Sequence, residues 1–311
     1  MIKTEVTPKI ALKQKGQNFF FFYFKELIRD KTSLVGIIII IAFLGWSLVQ
    51  GTLEFLSSLT NNPGLGYLLL PHNPFQINLS VKLLPPNREF LFGTNGLGED
   101  ILSRILYALP RDAMISIIIV VISIIIGALL GIVSGYFGKA IDEVIMRITD
   151  AFLAVPALIL VVAITVILNT SFTGAIVGLL IVWWPVYARF FRAETMKIRN
   201  LDFVQASKLN NISKWTLFYR YLFLNSVDPV IAYASLDFGN VILTYATLTF
   251  LGIGLTPPIP ELGEMAANGV GALPTAWWWA VFPGLIILVI VIGFVLVGDR
   301  MQDIISNRVN Y

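Results

Sequence analysis

The sequence has no cysteine and a single histidine, His72, in 311 residues. Without cysteine, disulfide bonds, thiolate catalysis and cysteine-ligated metal sites are excluded, and one histidine cannot form a histidine-based metal cluster. Charged residues are also scarce, at 13% of the chain, whereas about 25% is typical of a soluble domain. Hydrophobic residues make up 57%. This balance predicts an integral membrane protein with no metal site built on these residue types.

Six apolar stretches are long enough to cross a bilayer as helices, since a hydrocarbon core of about 30 Å needs about 20 residues. They run approximately over Leu34–Leu56, Asp112–Ser134, Ala151–Leu168, Phe172–Tyr187, Val227–Leu251 and Ala280–Gly298. We therefore predict an all-α fold with six transmembrane helices, in a multi-pass protein of the plasma membrane.

Lysine and arginine are concentrated on one side of these stretches. The segments before the first stretch, between the fourth and fifth, and after the sixth are rich in them. The opposite segments carry four, which are Lys82, Arg88, Arg104 and Arg111. Because positive residues favour the cytoplasmic side, both termini are predicted to be cytoplasmic. The net charge of +3 is then a topology signal whose partner is anionic lipid. No basic patch is interleaved with stacking aromatics, so no nucleic-acid partner is expected.

These assignments divide the chain into three parts. Residues 1–33 form a cytoplasmic N-terminus, in which the aromatic run Phe19–Phe24 beside charged residues predicts an amphipathic helix in the membrane interface. Residues 34–111 hold the first span and a long extracytoplasmic segment. Residues 112–311 form a core of five spans, with a structured cytoplasmic loop at 189–226.

The segment DFVQASKLNNISKWTLFYRYLFLN, Asp202–Asn225, interrupts the apolar sequence. The pair Asn210-Asn211 marks a break, since asparagine tolerates the left-handed conformation at a helix end. After the break, apolar residues recur at the spacing of an amphipathic helix, namely Trp215, Phe218, Tyr219 and Leu222. The pattern predicts a helix, a turn and a second helix. The segment is either a helix pair lying on the membrane or a docking element for a cytoplasmic partner.

The fifth apolar stretch carries polar residues at helical spacing. Asp237, Asn240, Thr244 and Thr247 are three, four and three residues apart, which places them along one helical face. An aspartate at the bilayer centre costs about 3 kcal/mol on insertion scales, which favours an interior or water-filled setting. The stripe predicts residues that line a translocation pathway. The alternative is a stripe that packs against a partner chain through interhelical hydrogen bonds.

Four stretches resemble the signatures of one transporter family. The first, Phe92–Ser116, reads "FGTNGLGEDILSRILYALPRDAMIS" and resembles "GTDxxGRDxxSRxxxGxRxS". The second, Gly135–Leu160, reads "GYFGKAIDEVIMRITDAFLAVPALIL" and resembles "GYxGGxxDxxxMRxxDxxxxxPxLLL", and the third, Thr247–Met265, reads "TLTFLGIGLTPPIPELGEM" and resembles "ALSFLGLGxxPPxPxWGxM". The fourth runs from Trp277 to Arg308 and resembles "WWxxxFPGxxixxxxxxxNxxGDxLRDxxDPR". The family is the dipeptide/oligopeptide/nickel group of ABC-transporter permeases. The resemblance covers about Gly93 to Arg308, in the family's own order, and is to the C-type subunit.

The Asp202–Asn225 segment is similar to the "EAA" loop of such permeases. Gln205-Ala206-Ser207, Asn211 and the run 221–224 occupy its places without a gap, although Gln, Ser, Asn and Leu replace the Glu, the second Ala, the Gly and the Pro of the pattern. The resemblance implies that this loop fits into a cytoplasmic ATPase. The residues expected at that contact are Phe203, Val204, Gln205, Ala206, Ser207, Lys208 and Asn211.

The resemblance also implies a type I ABC importer permease that forms half of a heterodimeric pathway for peptides or oligosaccharides. A second, homologous permease, two cytoplasmic ATPases and an extracellular solute-binding protein are the expected partners. The chain contains no G-x-x-x-x-G-K-[ST] motif, so ATP and Mg²⁺ are expected in the ATPases and no cofactor or enzyme activity in this chain. Tyr245 joins the predicted pathway residues, because the family often has Glu at its position.

An ion-coupled secondary transporter or channel that uses Asp237 is the alternative function. Six spans and an intramembrane acid would suit it as well. The structured cytoplasmic loop and the family signatures argue against it.

Overall fold

The computed structural model describes residues 25–210, 212–254 and 258–309. In these ranges the regular structure is helical, apart from an isolated β-bridge between Thr94 and Asp100. The predicted interfacial helix at Phe19–Phe24 lies outside the described residues, although residues 25–29 are helical.

The longer helices of the described part follow one another with short connections, except for the segment of about 40 residues after the first. They are α1 (Lys31–Thr60), α2 (Ile101–Phe137), α3 (Lys139–Leu153), α4 (Ala157–Ile167), α5 (Phe172–Ile198), α6 (Asp202–Leu209), α7 (Leu224–Phe250), α8 (Leu262–Val270) and α9 (Leu273–Val309). Shorter helical pieces are Pro63–Gly66, the 3₁₀ turn Leu79–Val81, Lys214–Thr216 and the π-helix Leu217–Phe223.

Four described helices are long and apolar enough to cross a membrane, namely Lys31–Thr60, Ile101–Phe137, Phe172–Ile198 and Leu273–Ser306. The pair α3 and α4 would be a fifth span if counted together, but it is bent by 89°. The fifth predicted span, Val227–Leu251 in α7, and the cytoplasmic location of both termini remain predictions.

The predicted third span, Ala151–Leu168, is wrong as one continuous helix. The chain leaves helical structure between Leu153 and Ala157. Pro156 has no backbone N–H to donate, and its ring disfavours the helical conformation at Val155. A high mean hydropathy over these residues concealed the break.

Helices α2 and α5 approach each other at backbone distance. Gly127, Gly131 and Gly135 lie four residues apart on the α2 face that meets α5. A Cβ atom added to Gly127 would lie 2.8 Å from Ala188 N, and one added to Gly131 would lie 2.9 Å from Arg192 N. Small residues at this spacing are what allow membrane helices to pack closely. This contact determines where the α5 side chains of the functional region lie.

Ion pairs to α3 and a hydrogen bond to α2 hold the C-terminal half of α5 near the same contact. Asp142 of α3 accepts hydrogen bonds from Arg192 of α5, and Asp150 pairs with Arg189. Arg199, just after α5, donates to Gly135 O at 2.7 Å. The connection that leads into α6 is therefore tied to the C-terminal end of α2.

We expect Gly131→Ala to lower the thermal unfolding midpoint of the detergent-solubilised chain. Overpacking against a fixed neighbour costs about 1–3 kcal/mol. Gly45→Ala in α1 is the matched control, because nothing lies within 4 Å of its added Cβ. There the substitution should raise the midpoint, since glycine in a helix costs about 1 kcal/mol relative to alanine. Equal shifts at the two sites would contradict the close α2–α5 contact.

Candidate functional site

The Asp202–Asn225 segment is helical on both sides of a break, as the sequence predicts. Helix α6 ends at Leu209, and helical structure resumes at Lys214 and continues through the π-helix into α7. The predicted amphipathic face is wrong, because Leu222 is buried while Trp215 and Tyr219 are exposed. In a π-helix the backbone bonds link residues i and i+5, so the period of 3.6 residues does not hold over 217–223.

The predicted coupling residues of α6 separate into an inner and an outer set. Val204 and Ser207 are buried, and Ser207 Oγ donates to Val204 O at 2.7 Å. Phe203, Gln205 and Ala206 are exposed. The inner residues anchor α6 to the rest of the chain, while the outer ones form a surface open to a partner. The Lys208 side chain and Asn211 fall outside what the structure describes.

Several contacts hold α6 in place. Val204 belongs to the apolar core that includes Leu217, Leu222 and Phe191. Gln205 Nε2 donates to Arg199 O at 3.1 Å. These contacts reach α5 on one side and the π-helix on the other.

Asp237 of α7 lies inside the chain's own helix bundle, with 2% of its surface exposed. Its Oδ2 atom accepts hydrogen bonds from Trp183 Nε1 and from Tyr187 Oη, both at 2.7 Å. Both donors belong to α5. The carboxyl group therefore links α5 to α7 through one buried and one part-buried hydrogen bond. Helical spacing within one stretch could not predict these partners.

The other predicted pathway residues of α7 divide between two faces. Asn240 is exposed, and Thr244 and Thr247 are half-buried. Both threonine hydroxyls donate to the backbone carbonyl four residues earlier, at 2.8 Å. Tyr245 is fully buried. A lining role for the set stays a prediction, and the polar groups that face away from the chain's own core are those of Asn240, Thr244 and Thr247.

Sequence reasoning missed a buried acidic group at the opposite end of the bundle from α6. Asp112, near the start of α2, and Glu261, just before α8, are both buried and face Tyr245 of α7. The sequence does carry a signal for each of these acids. Asp112 stands at the start of a long apolar run, and Glu261 stands between prolines and an apolar helix. In the part of the chain that the structure describes, no three His, Asp or Glu side chains are placed to hold a metal ion.

The long segment 61–100 is anchored near the same end. Arg104 forms a buried ion pair with Glu99 at 2.6 Å. Its guanidinium also donates to Pro74 O at 2.9 Å and to Pro258 O at 3.3 Å. One side chain thus joins this segment to the connection between α7 and α8.

Comparison with known proteins identifies the family. A family model described as "Binding-protein-dependent transport system inner membrane component" matches residues 127–311. The chain is 39% identical over 240 residues to the Escherichia coli strain K12 protein named "Probable D,D-dipeptide transport system permease protein DdpC", which covers 77% of this chain and 80% of that protein.

Two further relatives are similar over most of their length. The dipeptide transport system permease protein DppC of Haemophilus influenzae is 34% identical over 307 residues, covering 97% of this chain and 96% of its own. The di/tripeptide transport system permease protein DppC of Pseudomonas aeruginosa is 35% identical over 277 residues, covering 82% and 91%.

The family model covers more than half of the chain, and these relatives are all named as permeases of transport systems. The resemblance found in the sequence motifs is therefore confirmed, as is the predicted multi-pass location in the plasma membrane. The chain belongs to the family of binding-protein-dependent transport system inner membrane components, as a C-type permease subunit of the peptide-type ABC importers.

Proposed function

We propose that this permease forms half of a heterodimeric pathway for peptides and couples to two cytoplasmic ATPases through the Asp202–Asn225 segment. A second, homologous permease would supply the other half, and an extracellular binding protein would deliver the solute. ATP and Mg²⁺ would bind in the ATPases, with no cofactor in this chain.

The exposed face of α6 is the observation that carries the coupling role. Phe203, Gln205 and Ala206 project outward from a helix whose opposite side is anchored by Val204 and Ser207. A coupling element needs such a combination, because a partner can transmit force only through a surface that is both accessible and firmly attached. The ring of Phe203 also stacks on that of Tyr221, with ring centroids 6.2 Å apart. This contact helps to hold the Phe203 ring at the exposed face of α6.

The route from α6 into the bundle supports the same proposal. The π-helix Leu217–Phe223 runs directly into α7. Asp237 then joins α7 to α5 through Trp183 and Tyr187. A displacement of α6 by nucleotide-driven closure of the ATPases would move α5 and α7 together, since differential contacts in two partner states bias a conformational equilibrium.

Peptides are favoured over oligosaccharides as the solute, because the relatives are named as dipeptide or di/tripeptide permeases. In this proposal Asn240, Thr244 and Thr247 face the solute, and Asp237 keeps α5 and α7 together rather than contacting it. The alternative of an ion-coupled transporter is not favoured, because the carboxyl group of Asp237 already accepts two hydrogen bonds within the chain.

We expect Ala206→Glu to leave the permease folded but to abolish uptake of a labelled dipeptide by the assembled transporter. Ala206 is exposed, so the substitution changes the contact surface and not the core. Co-purification of the ATPases and peptide-stimulated ATP hydrolysis measure the effect.

Ala140→Glu is the control for that variant. Ala140 is also an exposed alanine, at the start of α3, outside α6. Coupled uptake at the normal rate in Ala206→Glu would exclude α6 as the ATPase contact.

We expect Asp237→Ala to lower the unfolding midpoint and to reduce uptake, because it leaves the buried Tyr187 hydroxyl and the part-buried Trp183 N–H unpaired. Such a loss costs about 1–3 kcal/mol for each orphaned group. In Tyr187→Phe the hydroxyl is absent, so adding Asp237→Ala there should cost less than it does in the unmodified chain. A double-mutant cycle measured by thermal unfolding tests this coupling. Strictly additive effects, or altered solute preference with unchanged stability, would instead support direct contact between Asp237 and the solute.

A further inference from the structure

Asp112, Tyr245 and Glu261 meet at the end of the bundle opposite α6, and each comes from a different element. Asp112 belongs to α2, Tyr245 to α7 and Glu261 to the connection that precedes α8. Their exposed fractions are 2%, 0% and 0%. The cluster therefore lies where that connection is packed against two long helices.

The polar atoms of this cluster lack hydrogen-bond partners outside it. No other described residue forms a hydrogen bond with the carboxyl oxygens of Asp112 and Glu261 or with the hydroxyl of Tyr245. The three groups lie together, because their chain neighbours Ala113, Ala246 and Leu262 belong to one buried apolar cluster. The start of α8 also meets α7 at backbone distance, since a Cβ added to Gly263 would clash with Ala246 O. Two ionised carboxylates in this setting would be strongly unfavourable, since buried charges require pairing. Tyr245 adds an unpaired hydroxyl directed at the same place.

The surrounding charges do not supply the missing compensation. Arg111 is the neighbouring cation on α2, but its guanidinium donates to Glu54 Oε2 of α1 at 2.9 Å and to Tyr107 O at 2.8 Å. Glu264, on α8, adds a further negative charge near Glu261. Beyond Glu264 lies the ion pair of Arg104 with Glu99, whose charges already balance each other.

We propose that Asp112 and Glu261 bind one proton between them, taken from the aqueous side at this end of the bundle, and that this proton latches residues 258–261, which precede α8, onto α2 and α7. One carboxylate accepts the proton and becomes a carboxylic acid. Its O–H then donates to the remaining carboxylate, and the Tyr245 hydroxyl donates to the same pair. Loss of the proton leaves two adjacent negative charges, whose repulsion moves residues 258–261 away from α2 and α7 and gives the open form.

A proton suits the cluster better than a metal ion does. Calcium takes about six to eight oxygen ligands, and magnesium requires near-octahedral geometry. Two carboxylates and a phenol fall short of either arrangement. Sharing of one proton between closely placed carboxyl groups is a known solution to the same problem.

The direction of the pH effect follows from the shift in the pKa of Glu261. Burial, followed by the negative charge of Asp112, raises the pKa of Glu261 well above its ordinary value of 4.5. The latched form therefore binds more protons than the open form. Its extra stability is complete below about pH 4.5 and is lost as the pH rises through the raised pKa.

A single introduced cysteine can report the opening, because the natural chain has none. Ile259→Cys places the thiol at a half-buried position in the connection, and Leu79→Cys, at an exposed position in the outer segment, corrects for the pH dependence of thiol reactivity. Maleimide labelling of the assembled transporter in membrane vesicles is measured across pH 5–9. The ratio of the two rates should rise about tenfold per pH unit where opening releases one proton.

Glu261→Gln and Asp112→Asn test the assignment separately. Each amide supplies a permanent N–H donor to the remaining carboxylate, so each should hold the ratio low and independent of pH. A flat ratio in the natural pair, or a pH slope in either amide variant equal to that of the natural pair, would overturn the proposal. A ratio that falls when calcium or sodium is added at constant pH would identify a metal ion as the ligand and would also overturn it.

Discussion

The backbone contact between α2 and α5 is the constraint on which the rest of this permease depends. Because three glycines of α2 admit the α5 backbone, the aromatic donors Trp183 and Tyr187 lie deep enough to reach Asp237 on α7. A larger side chain at any of these glycines would move α5 outward and leave Asp237 without its donors. The close packing of α2 on α5 thus positions the two donors that bind Asp237, and these hydrogen bonds in turn link α5 to α7.

The two ends of the bundle carry different kinds of chemistry. At the α6 end, exposed side chains on an anchored helix form a surface suited to contact with another protein. At the opposite end, buried polar groups and the guanidinium of Arg104 fasten the loops to one another. Helices α2 and α7 extend to both ends, so a structural change at one end can be transmitted through them to the other.

Patterns within a single stretch of sequence predicted what depends on that stretch alone. The helices, the break near Asn210 and the family followed from hydropathy, helix-end chemistry and motif spacing. The separation of Asp237 and Tyr245 from Asn240 did not, because burial on a helix is decided by neighbouring helices that the spacing does not specify. The burial of Leu222 apart from the exposed Tyr219 was missed because the π-helix over 217–223 changes the period.

Two other features required tertiary information. Residues 112 and 261 are far apart in the sequence, so nothing in either stretch indicates that their carboxyl groups meet. The bend between α3 and α4 was signalled by Pro156, but the high mean hydropathy around it favoured a single span. The two helices meet at a bend of 89°.

The ion pairs between α3 and α5 differ in their contact with solvent. The pair of Arg192 with Asp142 is the more enclosed, whereas the side chains of Arg189 and Asp150 are 53% and 54% exposed. Ions screen charges in solvent over about 8 Å at physiological salt, and they act much less on partly buried pairs. The attachment of α3 to α5 is therefore stronger at the start of α3 than at its C-terminal end. The exposed pair at the C-terminal end weakens as ionic strength rises.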